Sequence, residues 1–255
     1  PRTDLYHAAF GDPKNQAVVF VHGGPGSNSV MLEDSGVAGA LASAGYYVVT
    51  YDQRGSGRSP RGVASDFTFD KSAKDLDDLI HSLKLQRPIL MGHSFGGTLV
   101  LNYLERHPDV AKGALTIANP VDFPDSYFNV HELCTSFFKK RLKVLDLQSV
   151  SDLHLAMFPK GLQPPFTFTA EEIGKTMQMA KSCMLYLPTF PTAHAAATWA
   201  RLSLGPNSDL MNSIEPAVGN GFQDNEHVGY QQFVPVLAKH AAHIYGIYGA
   251  QAVML

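Results

Sequence analysis

The sequence predicts a three-layer α/β fold, a mostly parallel sheet covered by helices on both faces, and three observations carry that prediction. Short apolar runs rich in β-branched and aromatic residues recur at 17–21, 46–51 and 89–91. Unbroken apolar runs of this length mark strands buried on both faces. Segments with helical spacing lie between them, and glycine-rich turns follow the strands. Strands alternating with helices imply right-handed crossovers and parallel pairing.

The elements follow in order. Residues 6–10 read as a short first strand and 17–21 as the second, followed by small and apolar residues at helical spacing over 32–43. After the strand at 46–51 comes an amphipathic helix over 70–83. It turns Leu76, Leu79, Ile80 and Leu83 inward and Lys71, Lys74, Asp75 and Asp78 outward. A strand at 89–91, a helix at 98–105 and a strand at 114–118 complete this part. From Asp122 the strand signal fades, and helix-like stretches at 131–146, 170–186 and 192–203 are joined by proline-containing links. That composition predicts a helical cap inserted over the sheet at 122–238, with the core at 1–121 and a return to it at 239–255, where 242–248 is strand-like. The cap is rich in methionine and aromatics, including Met157, Phe158, Phe166, Phe168, Met177, Met179, Met184, Tyr186, Phe190 and Trp199. Most are expected in the core, with a minority lining a pocket.

Composition narrows the function classes. The 255 residues are 45% hydrophobic with a formal charge of −3, which argues against a nucleic-acid or polybasic membrane binder. Every apolar run is interrupted before it reaches the length of a membrane span. Cys134 and Cys183 make no disulfide framework and are expected to pack as small apolar residues. No Cys/His cluster has zinc spacing and no phosphate loop is followed by lysine, so neither a metal nor a nucleotide cofactor is expected. The expected partner is a small-molecule or peptide substrate. Compartment and oligomeric state stay open.

The chemistry-bearing motif is Gly92-His93-Ser94-Phe95-Gly96, placed between an apolar strand and a helix. A serine on so tight a turn stands above the sheet, and the following helix points backbone N–H groups at a developing oxyanion. Ser94 is the candidate nucleophile and the Phe95 N–H a candidate oxyanion donor. The loop His22-Gly23-Gly24-Pro25-Gly26, after the strand at 17–21, leaves backbone N–H groups unobstructed. Gly24, with Gly23 as the alternative, is the candidate second donor. Asp52 and Arg54, in Tyr51-Asp52-Gln53-Arg54-Gly55-Ser56-Gly57-Arg58-Ser59, are expected to tie down their loop by local hydrogen bonds.

These three blocks, in this order and spacing, resemble the α/β-hydrolase superfamily and within it the proline iminopeptidase branch. The resemblance implies a serine hydrolase that cleaves an ester or amide bond through a covalent acyl-enzyme, without a cofactor. It also implies the triad order Ser, Asp, His. Gly249-Ala250-Gln251-Ala252 matches the acid turn with Ala252 at the expected aspartate position, and the expected histidine would follow Leu255. Three readings stand: a longer enzyme in which Ala252 is a substitution; an acid drawn from Asp122, or Asp125, at the end of an earlier strand; and a catalytically silent ligand-binding relative. Of the histidines present, His227 is the candidate substitute base. The resemblance makes Glu226 the candidate for binding a free amino terminus and Trp199 the remnant of a tryptophan-rich helix. Leu202 and Ser203 stand where Trp and Glu are expected, which favours the alternative of a neutral ester or lactone substrate.

Overall fold

The computed structural model describes residues 4–141, 170–183, 192–227 and 233–247. Within them a sheet of six strands has the order β1-β3-β2-β4-β5-β6. The strands are β1 (His7–Phe10), β2 (Gln16–Val21), β3 (Tyr46–Tyr51), β4 (Ile89–His93), β5 (Gly113–Ile117) and β6 (Ile244–Ile247). β1 pairs antiparallel with β3, and the other pairs are parallel. The fold class expected from the sequence is therefore the fold observed.

Two apolar clusters sandwich the central strands. On one face Val19, Val21, Val49 and Leu90 pack with Leu76, Leu79 and Ile80 of α3 (Phe69–Ser82) and Leu99, Val100 and Tyr103 of α4 (Phe95–Arg106). On the other, Val18, Phe20, Val48 and Met91 meet Leu32 of α1 (Val30–Asp34) and Ala38 of α2 (Val37–Ser43). Successive strand residues face opposite sides, so an apolar run such as Val18-Val19-Phe20-Val21 fills both layers. The predicted helix over 32–43 is two short helices, because Gly36 lies between them with φ 87°.

Between β5 and β6 the described segments are helical: α5 (Phe123–Arg141), α6 (Ala170–Ser182), α7 (Ala193–Leu204), α8 (Ser208–Asn212), α9 (Pro216–Glu226) and α10 (Val234–His240). α5 begins well before the predicted 131. Asp122 caps it: Oδ1 accepts from the Asp125 N–H at 3.1 Å, and its carbonyl accepts from the Ser126 N–H at 2.9 Å. Met157, Phe158, Phe166, Phe168, Met184, Tyr186 and Phe190 lie outside the described residues.

The expectation that Cys134 and Cys183 pack as separate apolar residues is corrected. Both are buried, at 0% and 1% exposure, but they form a disulfide that joins α5 to the end of α6 with Cα atoms 5.4 Å apart. The pairing spans 49 residues and depends on how two helices dock, which spacing alone does not disclose. Closing a loop of that size restricts the unfolded chain by about 4 kcal/mol in the entropic account.

Candidate active site

Ser94 occupies the junction of β4 and α4 with φ 51° and ψ −129°. A non-glycine residue with positive φ is uncommon, and here hydrogen bonds on both sides hold it. The Ser94 N–H donates to the Ile117 carbonyl at 2.8 Å, and the Ser94 carbonyl accepts from the Gly97 N–H at 2.8 Å. The turn closes this tightly only because its neighbours lack side chains. A Cβ on Gly92 would strike the backbone of Gly96 and Gly97, and one on Gly96 would be driven into the Val21 and His22 carbonyl oxygens.

The loop that faces Ser94 is tethered at both ends by consecutive residues at the end of β3. At its start, the Gln53 N–H donates to His22 Nε2 at 2.9 Å, and Gln53 Nε2 donates to the His22 carbonyl at 2.6 Å. At its end, Asp52 Oδ1 accepts from the Ser29 N–H at 2.8 Å and from Ser29 Oγ at 2.7 Å. Arg58 completes that anchor by donating to Asp52 and Glu33. Burial pushes the Asp52 carboxyl up, but hydrogen bonds from Arg58 and Ser29 outweigh it and hold the group below its ordinary range. Arg54 forks onto Asp75, both bonds at 2.6 Å. Asp52 and Arg54 are thus engaged in tying down the loops, as their motif suggests.

The loop comes so near that a Cβ on Gly23 would lie 2.9 Å from the Ser94 Cβ. Among the described residues, the N–H groups of Gly24 and Phe95 have no hydrogen-bond acceptor, and Ser94 Oγ has no hydrogen-bond partner. Ser94, Gly24 and Phe95 line a cavity of about 270 Å³ walled by Phe123 and Tyr127 of α5, Ile173 and Met177 of α6, and Phe222 of α9. A second cavity of about 220 Å³ shares Gly24, Ser94 and Ile214 with the first and is lined further by Met31, His93, Trp199 and Met211. Burial lowers the pKa of His93, so its imidazole beside Ser94 is neutral at pH 7.

The structure brings together Ser94, Gly23, Gly24, Phe95 and Trp199, the last 38% exposed on α7. It does not bring Glu226 to either cavity: one carboxylate oxygen accepts from the Phe69 N–H at 2.8 Å, capping the start of α3. His227 is an exposed residue at the end of α9 and does not line the cavities. Asp122 serves as the cap of α5. Ala252 lies outside the described residues. No carboxylate lines either cavity, and no trio of metal-ligating side chains occurs, among the described residues. The sequence reading missed α9, whose Phe222 walls the cavity. Pro216 at its first turn was the available signal.

A parallel sheet, a serine on a strained strand-to-helix turn and a facing glycine loop define the class. Residues 16–154 match the family model described as the alpha/beta hydrolase fold, and the chain, more than half of which that match covers, belongs to this family. Within it the chain is similar to proline iminopeptidases. That of Arabidopsis thaliana is 34% identical over 110 residues, 43% of this chain and 28% of its own length. A probable proline iminopeptidase of Streptomyces coelicolor is 36% identical over 112 residues, 42% of this chain and 33% of its own. The aligned stretch thus spans about a third of these curated relatives. The crystal structure of a proline iminopeptidase-related protein from Thermus thermophilus shares the fold, with a TM-score of 0.67 at 23% identity over 98% of this chain and 87% of that one.

Proposed function

We propose that the protein is a serine hydrolase working by two-step acyl transfer, with Ser94 as its nucleophile. The carrying observation is the placement of Ser94: a positive-φ serine whose residue lines a cavity together with Gly24 and Phe95, the two residues with unengaged N–H groups. Ser94 Oγ attacks the substrate carbonyl, and its proton passes to a base supplied from outside the described residues. The Gly24 and Phe95 N–H groups hold the charge that develops on the carbonyl oxygen. Preorganised donors of this kind are worth roughly 3–4 kcal/mol each in the transition state.

Similarity to proline iminopeptidases supports an aminopeptidase that releases an N-terminal residue. A second reading has its own support. A buried ammonium needs a carboxylate partner, yet the described lining holds none and Glu226 is occupied at the start of α3. The apolar walls instead suit a neutral acyl group, hence an ester or lactone. A fluorophosphonate probe should label the protein at Ser94 and leave Ser94→Ala unlabelled. Turnover of prolyl p-nitroanilide against p-nitrophenyl butyrate then separates the two substrates. A folded protein that is neither labelled nor active on either compound would be a silent binder and would overturn the proposal.

A further inference from the structure

We propose that Ile214 is a specificity-determining divider that keeps the two halves of an ester substrate apart, the acyl chain in the larger cavity and an aromatic leaving group in the smaller. The inference rests on the acyl-transfer reading above and narrows its substrate class to esters with an apolar group on each side of the carbonyl.

The two cavities meet at three of the described residues, Gly24, Ser94 and Ile214. Gly24 has no side chain and Ser94 supplies the nucleophile, so Ile214 is the apolar side chain that both cavities share. An ester carbonyl carbon carries two substituents that leave it in different directions. A carbonyl seated on Ser94 and Gly24, at the junction, therefore sends one substituent into each cavity. The larger cavity, walled by Phe123, Tyr127, Ile173 and Met177, suits a flexible apolar chain. The smaller offers the Trp199 indole together with Met31 and Met211, a surface suited to an aromatic ring.

Ile214 is 60% exposed although it lines both cavities with the nucleophile. Substrate laid against it from either side removes apolar area from water, which favours binding. The backbone on both sides of Ile214 is tied down. Before it, the Leu210 carbonyl accepts from Asn28 Nδ2 at 2.6 Å and from Ser213 Oγ at 2.7 Å. After it, the Glu215 N–H donates to the Gly26 carbonyl at 2.9 Å, and the Glu215 carboxylate pairs with Arg61. Gly26, at φ 88°, permits this approach, since a Cβ there would run into the Glu215 carbonyl oxygen. Asn28 and Gly26 belong to the loop that carries Gly24, so Ile214 is fixed relative to the donor that would hold the oxyanion.

Ratios of kcat/KM test the divider, because they cancel any general loss of activity. Ile214→Trp, at an exposed position, should lower the octanoate-to-acetate ratio of p-nitrophenyl esters and the 1-naphthyl-to-phenyl ratio of acetates, each at least about tenfold. Met211→Trp, in the smaller cavity alone, should lower only the second ratio. Ile214→Ala joins the two spaces and should raise turnover of p-nitrophenyl pivalate, branched next to its carbonyl, about tenfold relative to the butyrate. That variant decides the matter if Ile214→Trp does not melt as a folded protein. An Ile214→Trp protein that shifts one ratio alone or neither, a Met211→Trp protein that shifts both, or an unchanged pivalate ratio in Ile214→Ala overturns the divider. So does a parent that is labelled at Ser94 but turns over none of these esters. A parent without labelling at Ser94 overturns the acyl-transfer reading itself, and the divider with it.

Discussion

Arg58 holds Asp52 through three donors: its own N–H at 2.9 Å, Nε at 2.7 Å and Nη2 at 3.1 Å. The Asp52 side chain is fully buried while that of Arg58 is 24% exposed, so the arginine is the route by which the carboxylate's charge is compensated. Removing one partner of such a pair leaves an uncompensated charge inside the protein, at about 3 kcal/mol or more. Arg58→Met should lower urea stability by that amount. The double variant Arg58→Met/Asp52→Asn should regain part of the loss, and a double-mutant cycle on urea midpoints reads the coupling.

Two glycines in different settings give a contrasting pair of stability predictions. Gly96→Ala pushes a methyl group into the Val21 carbonyl and should cost at least about 2 kcal/mol. At Gly39 in α2 an added Cβ meets nothing within 4 Å, so Gly39→Ala should stabilise by about 0.5–1 kcal/mol. Chemical denaturation of the two variants, measured side by side, checks the opposite signs.

Much of this geometry was legible in the sequence, and the part that was not has a physical pattern. β3 and the turn at Ser94 follow from local rules: a β-branched run fills both faces of a sheet, and small residues flank a serine that must stand clear of it. The early start of α5 lay in the same local code, with Asp122 accepting from the Asp125 N–H, but the prediction of a start at 131 passed over it. The partner of Glu226 was not written locally, because the Phe69 N–H lies 157 residues away in sequence and is reached only once α9 docks beside α3. Its neighbours Asp224 and Asn225 look like any polar helix end. α9 itself carries Gly219 and Gly221, which blur the helical pattern that Pro216 announces.

His22 makes acid stability a further test. Its folded pKa of about 4 lies below the unfolded value of 6.5, so the unfolded chain binds more protons between these limits. Stability from this group is complete above pH 6.5 and is lost as pH falls toward 4, by about 3 kcal/mol in total. Urea titrations at pH 7 and pH 4.5 should show the loss in the parent protein and a smaller one in His22→Gln. Asp52 and Glu33, whose pKa values are lowered, add a loss at more acid pH, since their stabilisation disappears as they are protonated.

The cavity yields a prediction on selectivity. Gly219 lines it, and a Cβ built there meets nothing within 4 Å. A Cβ at this position meets no clash, so Gly219→Leu should fold while occupying space an acyl chain would use. We expect kcat/KM for p-nitrophenyl octanoate to fall at least about tenfold relative to p-nitrophenyl acetate, because steric exclusion acts on the longer chain.

Phe95 belongs to two structures at once. Its amide begins α4 beside Ser94, while its ring stands edge-on to Phe222 of α9 with centroids 4.9 Å apart. Phe69 and Phe123 close around the same ring at 6.2 and 6.4 Å. Phe222 of α9 thus packs against an aromatic side chain rooted in the turn that carries Ser94, so a shift of α9 would be passed to that turn. Helix and turn are coupled through this one ring, and a change made to loosen one will be felt by the other.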